Sequence, residues 1–304
     1  MSAPTGEQFD LIWADANHQA RASISELAAG LRALSVDGIE LIEGPNADEV
    51  TPFGAGIVLV PWPNRVADGR WEYRGTTQQL DLTEPSRSNA IHGLLRNTAY
   101  RVRERSPEAV TLGVAIHPQH GYPFQLDTTV RYELVADGMT VTHQIENTGP
   151  DAAPVAIGAH PFLRLGDIPT AELTLSLAAT SHFVVDDRLN PIREQPVDGT
   201  PYDFRAGVRV GGLTLDDGFG GVEPGLSHRL TAPDGRFVEL WSDPAFAYVQ
   251  VFTTDLFPRD GLPTRAIAVE PMTAPVNALN SGAGLRWLAP AERWSVAWGI
   301  RYSG

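Results

Sequence analysis

The sequence predicts an all-β protein, a large antiparallel β-sandwich, and three observations carry that expectation. Short runs alternate apolar and polar residues with a period of two. Turn dipeptides separate these runs, drawn from 29 glycines and 24 prolines spread along the chain. Long stretches with helical spacing are few. A chain of 304 residues can bury a large core. No repeat, low-complexity tract or linker divides it, so residues 1–304 read as one domain.

In chain order, the first element is the exception. Across Ser23–Leu34 the apolar residues Ile24, Leu27, Leu31 and Leu34 have helical spacing, which by itself predicts a helix. Val66–Tyr73 reads as a hairpin around Asp68-Gly69. A longer hairpin follows. Leu126, Thr128, Val130, Tyr132 and Leu134 alternate up to Asp137-Gly138, and Met139, Val141, His143 and Ile145 alternate beyond it. The same design returns over Leu226–Trp241 around Pro233-Asp234-Gly235.

Composition narrows the chemistry. A net charge of −14 argues against nucleic acid and against an anionic membrane surface, both of which call for clustered positive charge. Neutral small molecules suit the balance better. Cysteine is absent, which excludes disulfides, thiol catalysis and thiolate metal sites. Lysine is absent too: all 23 basic residues are arginines. That removes Schiff-base chemistry and the phosphate-loop lysine. Met1–Glu7 lacks the basic start and apolar run of a signal peptide, and no apolar stretch approaches the roughly 20 residues that span a bilayer. The expectation is a cytoplasmic protein.

Several catalytic patterns fail at once. Gly-x-Ser-x-Gly is missing, and Gly54-Ala55-Gly56 lacks the third glycine of a dinucleotide fingerprint. His117 and His120 flank a proline turn with no obvious third ligand. Asp186-Asp187 and Asp216-Asp217 could mimic paired glycosidase carboxylates, but a sequence gives no separation to test. What remains is two histidines and a glutamate in turn-rich settings: Ile91-His92-Gly93, Ala159-His160-Pro161 and Val269-Glu270-Pro271. His and Glu facing one small polar substrate can give and take a proton. Taken alone, His92 fits a satisfied structural residue and Glu270 a solvated strand end as readily as a catalytic role. His160 has the stronger case, because small residues and a proline fix its backbone.

Read together and in order, these segments resemble the aldose 1-epimerase (galactose mutarotase) family. Pro63-Asn64-Arg65 is similar to the family's Asn-Arg segment, and Ala90–Arg96 to its His-Gly segment. Gly158–Phe162 resembles the second histidine segment. Leu215-Asp216-Asp217-Gly218-Phe219 resembles the sugar-contact segment, with Asp217 where many members carry histidine. Thr264–Asn280 resembles the glutamate region, and Pro290-Ala291-Glu292 the closing turn, with Ala291 replacing glycine.

The resemblance implies a galactose mutarotase-like supersandwich, and it turns Ser23–Leu34 into a strand pair. It implies Glu270 as general base on the anomeric hydroxyl, His160 as general acid on the ring oxygen, and His92 as a further catalytic contact to the sugar. Asn64, Arg65 and Asp216 would bind substrate. Both members of the pair would titrate near working pH, His160 close to about 6.5. Trp62 and Phe162 are candidates to stack on the ring. No cofactor or metal is implied; the partner is a small-molecule sugar, and the chain would be a monomer or homodimer. A substrate with an anionic group would need an extra arginine, for which Arg87, Arg96, Arg164 and Arg205 are candidates. A non-catalytic carbohydrate-binding module would not need both His160 and Glu270.

Overall fold

The computed structural model describes residues 3–304. Strands hold 51% of the chain and helices 5%, as the alternation predicts. Two nine-stranded antiparallel sheets face each other, and the amino-terminal strands form a four-stranded sheet beside them. The first large sheet contains the long hairpin: Leu126–Val135 pairs with Gly138–Asn147, with Val135 opposite Gly138. Its alternating apolar residues are buried, and the final strand, Arg293–Ser303, lies alongside. His228–Thr231 and Phe237–Ser242 form the second predicted hairpin in the same sheet.

Ser23–Leu34 is a strand pair. Gln19–Ser25 and Leu31–Val36 run antiparallel with Ile24 opposite Leu31, joined by a turn in which Ala28 and Ala29 take φ values of 54° and 47°. The helical spacing is a product of this turn: it returns Leu31 and Leu34 to the buried face that Ile24 occupies. Ala291, where the resembling family turn has glycine, sits at φ 63°, the left-handed backbone that glycine adopts without cost.

The expected hairpin at Val66–Tyr73 does not close. Asp68 and Gly69 do make a turn, with both φ values positive, but each flanking strand pairs elsewhere. Arg70–Tyr73 pairs with Thr76–Gln79, and Leu80 N donates to Gly69 O at 2.7 Å, so that edge is taken. Arg65–Ala67 pairs instead with Asn89–Ile91. This places Arg65 opposite Ile91, one residue from His92.

The second large sheet carries the site. At its centre Asp216–Gly220, Tyr248–Arg259 and Leu262–Met272 lie side by side. Val249, Val251, Ile267 and Val269 belong to the main core between the sheets. Strand geometry sends alternate side chains to opposite faces, so Gln250, Phe252, Ala268 and Glu270 occupy the other face. A register slip of one residue would bury valines in the cleft and turn Glu270 into the core.

Candidate active site

Register builds the floor of a cleft from this outer face. One cross-strand row is Gly218–Gln250–Glu270; the next is Asp216–Phe252–Ala268, extended by Phe162 on the following strand. The strand Leu262–Met272 positions Glu270 two residues before its end. His160 sits between the short strands Gly158–Ala159 and Phe162–Leu163. Its backbone is fixed at both ends, with His160 N donating to Ile57 O at 3.1 Å and Gly56 N donating to His160 O at 2.8 Å.

His92 and Asn64 reach the cleft from turns. Both are in the left-handed region, at φ 63° and 55°, and His92 N donates to Asn64 O at 2.9 Å. Asn64 Oδ1 accepts from Arg65 N at 2.9 Å. A cavity of about 390 Å³ is thereby lined by all six sequence-predicted site residues: Asn64, Arg65, His92, His160, Asp216 and Glu270. That volume admits a single sugar ring.

The acid–base geometry is close. His160 Nε2 stands 3.4 Å from Glu270 Oε1, with both side chains buried. The His92 ring meets His160 edge to face at 5.4 Å between centroids. Glu270 Oε2, Gln250 Oε1 and the Nδ1 atoms of His92 and His160 are buried without a protein partner among the described residues. Burial disfavours every charged form here. It holds the His160 imidazole down at about 4, with Arg96 and Arg65 contributing, and lowers His92 well below the usual histidine range, helped by His160. It lifts the Glu270 carboxyl well above the ordinary carboxylate range, with the Asp216 charge adding and Arg65 opposing. His160 therefore does not titrate near neutrality as expected: desolvation drives the two groups apart, the imidazole toward its neutral form and the carboxyl toward its protonated one.

Opposite this pair lies an ionic cluster. Arg65 donates from Nε to Glu84 Oε2 at 2.8 Å and from Nη2 to Glu84 Oε1 at 3.1 Å, and Nη2 also reaches Asp216 Oδ2 at 3.3 Å. Gln250 Nε2 donates to Asp216 Oδ1 at 2.8 Å. Behind Asp216 and on the core side, Asp217 Oδ1 lies 2.8 Å from His182 Nε2 while Oδ2 accepts from Asp216 N at 3.1 Å. A histidine thus stands beside Asp217 after all, supplied by the neighbouring strand Ser181–Val185.

Glu84, Gln250, Phe53 and Phe252 also line the cleft and were not picked out from the sequence. Gln250 had a local signal, a lone amide between the buried valines Val249 and Val251. Glu84 had none, since its partner is 19 residues away. The two stacking candidates are corrected. Trp62 is buried against Tyr122 at 5.9 Å, and Phe162 lies fully buried behind His160, stacked at 5.3 Å. Core packing claims both rings.

Of the four candidate arginines, only Arg87 lines this cleft. Arg164 is drawn to Glu43 and Asp167, and Arg205 to Asp198 and Asp203. Arg96 lines adjoining cavities instead. Asp186 is a turn residue, its Oδ1 accepting from Arg188 N and Asn190 N at 2.9 Å each. His117 and His120 are exposed on a loop.

The sequence model of aldose 1-epimerase matches residues 10–301. The chain belongs to the aldose 1-epimerase family. It is 35% identical over 266 residues to an uncharacterized protein of Escherichia coli K12, YihR, covering 87% of this chain and 84% of that one. The fold is similar to a GalM/aldose epimerase homologue from C. elegans, with TM-score 0.84, 18% identity, and 98% and 99% of the two chains covered. A galactose 1-epimerase from Lactobacillus acidophilus NCFM gives TM-score 0.78 at 18% identity, covering 98% of each chain. At such identities these structures speak to the fold alone. The antiparallel supersandwich is the architecture they share with this member of the family.

Proposed function

We propose that this family member is a mutarotase, interconverting the α and β anomers of an aldohexose by ring opening and reclosure. The observation that carries the reading is the buried His160–Glu270 pair at 3.4 Å, facing a cleft of sugar size. With one proton between the two groups, burial favours placing it on Glu270. Its transfer to His160 arms the pair as carboxylate and imidazolium. Glu270 then takes the proton from the anomeric hydroxyl, and His160 gives one to the ring oxygen as the C1–O5 bond breaks. Rotation about C1–C2 exposes the other carbonyl face. Reclosure with the roles reversed restores both protons, so the cycle needs no cofactor and exchanges no net charge.

His92 is a hydrogen-bonding group held neutral beside the reacting oxygen. Asp216, Asn64 and the Arg65 guanidinium bind hydroxyl groups, a task suited to fixed donors and acceptors. Cleft charges balance, Arg65 and Arg87 against Glu84 and Asp216, which favours a neutral sugar. A second reading, an anionic hexose, rests on Arg87, which is partly exposed and, among the described residues, paired with Glu84 at 3.3 Å.

Polarimetry on freshly dissolved α-D-glucose and α-D-galactose tests the proposal. Faster approach to the same final rotation is expected. No acceleration with these, but acceleration with a hexose phosphate or sulfonate, would transfer the reading to the anionic class. Binding without acceleration of any sugar would leave a carbohydrate-binding module.

A further inference from the structure

The cleft has one wall unlike the others. Asn64, Arg65, Glu84, His92, Asp216, Gln250 and Glu270 are polar, whereas Phe53 and Phe252 present aromatic surface. Phe53 is 43% exposed, so it is not a core residue. Its ring lies 6.1 Å from Phe252 and 6.3 Å from Phe257, nearly parallel to the latter at 26°. Those two rings pack on Phe162 at 6.1 and 4.9 Å, and Phe162 stacks on His160. A continuous aromatic slab thus runs from the cleft mouth to the proposed acid.

The backbone beneath Phe53 is unusual. Its φ is 50° and ψ 21°, the left-handed region that a bulky residue avoids. The turn is held by its surroundings: Pro52 precedes it, Ala55 N donates to Pro52 O at 2.9 Å, and Gly56 N donates to His160 O at 2.8 Å. Glycine would occupy the position without strain, as it does next door at Gly54 with φ 70°. A strained aromatic that fills no core is explained by what its ring faces.

We propose that Phe53 is a specificity-determining residue, the platform on which the apolar C–H face of a pyranose stacks while its hydroxyls meet the polar wall. This rests on the mutarotase reading, and it assigns the substrate class more finely: pyranoses with an uninterrupted C–H surface on the face turned to Phe53. Burying about 50 Å² of that surface contributes roughly tenfold in affinity. Ring opening at C1 involves none of the Phe53 atoms, so the contribution is felt in ground state and transition state alike and is lost through KM.

The test compares wild type with Phe53→Ala, Phe53→Gly, Phe53→Leu and Phe53→Trp, measuring KM and kcat by polarimetry with galactose and glucose, sugar affinity by calorimetry, and Tm. Phe53→Ala and Phe53→Gly are expected to raise KM and the calorimetric Kd about tenfold, with kcat within threefold. Phe53→Trp restores both, and Phe53→Leu does not. Phe53→Gly has a Tm at or above that of Phe53→Ala, because it alone relieves the backbone. An unchanged KM and Kd in Phe53→Ala, or full rescue by leucine, overturns the platform. If wild type binds sugar but turns over none, the mutarotase reading fails while the Kd series still decides the role of Phe53. If wild type binds neither sugar, the platform for these pyranoses falls with it.

Discussion

Replacing Glu270 with glutamine is expected to do two things at once: silence the enzyme and stabilise it with rising pH. Glutamine is isosteric with the protonated carboxyl that burial favours at this site, and Glu270 is only 2% exposed. Its folded pKa is raised, whereas in the unfolded chain it returns to about 4.3. Between those two values the folded protein holds a proton that the unfolded chain has lost, so wild-type stability falls as pH rises. The slope is about 1.4 kcal/mol per pH unit, starting near the unfolded value and ending at the folded one. Glutamine cannot ionise, so the variant escapes this loss. For 304 residues the unfolding entropy is roughly 0.6 kcal/mol per kelvin, so the gap in Tm widens by about 2 °C per pH unit. Thermal melts of Glu270→Gln and wild type from pH 5 to 8, beside polarimetry at each pH, read both effects. Turnover should drop by about 10²- to 10⁴-fold, the contribution of a positioned acid or base. A Tm gap that stays flat, or a wild type that gains on the variant as pH rises, would show that Glu270 is ionised in the folded state and refute the burial argument.

The other expectations are briefer. His160→Asn should lower kcat by about 10²-fold or more with sugar affinity changed little, as calorimetry can check; a loss confined to binding would remove His160 from proton transfer. The kcat/KM profile should be a plateau whose acid limb lies near pH 4 and whose alkaline limb lies well above the usual carboxylate range; a narrow bell centred at about 6.5 would contradict it. Acid should unfold the protein early. His143 accepts from Trp298 Nε1 at 3.0 Å and His228 Nδ1 accepts from Ala178 N at 3.2 Å, so both are neutral, and burial holds them at about 3 and about 4. Unfolding lets each of these and His160 take a proton below about 6.5, so their contribution is intact above that pH and at pH 5 has dropped by roughly 2 kcal/mol apiece. A Tm independent of pH between 6.5 and 4 would exclude this. Finally, Glu84→Gln leaves Arg65 with Asp216 as its remaining charged partner; we expect a stability loss of about 2–3 kcal/mol and a KM raised several-fold, and a double-mutant cycle with Arg65→Gln that is strictly additive would deny the coupling.

What could be read from the sequence was what lies along a single stretch of backbone. Period-two alternation gave Leu126–Val135 and its partner with the correct inward face, and all six residues picked from the ordered short segments line the cleft. Contacts made across the chain were hidden. The turn at Asp68-Gly69 carried every local mark of a hairpin, yet the available edge of Asn89–Ile91 captured its first strand. Glu84 matters only because that capture brings it beside Arg65. The helical spacing in Ser23–Leu34 describes a turn, and only pairing distinguishes the two. The aromatic lining was hidden for a related reason: proximity to a motif says nothing of which side of a strand a ring occupies, so the candidates were Trp62 and Phe162 while the rings that line the cleft are Phe53 and Phe252.

The cleft is made of two materials. Asp216, Gln250 and Glu270 project from adjacent central strands, where every neighbour is fixed by ladder hydrogen bonds. Phe53, Asn64 and His92 project from turns with left-handed backbone, and Arg87 closes a short 3₁₀ turn, Pro85–Arg87. The floor therefore resists drift, while the exposed positions of the rim can accept new side chains with little effect on the register beneath. Loops on a rigid scaffold are where binding preferences diversify. A library confined to residues 51–53 and 85–88 should thus shift sugar preference while Glu270, the carboxylate proposed to move the proton, keeps its place.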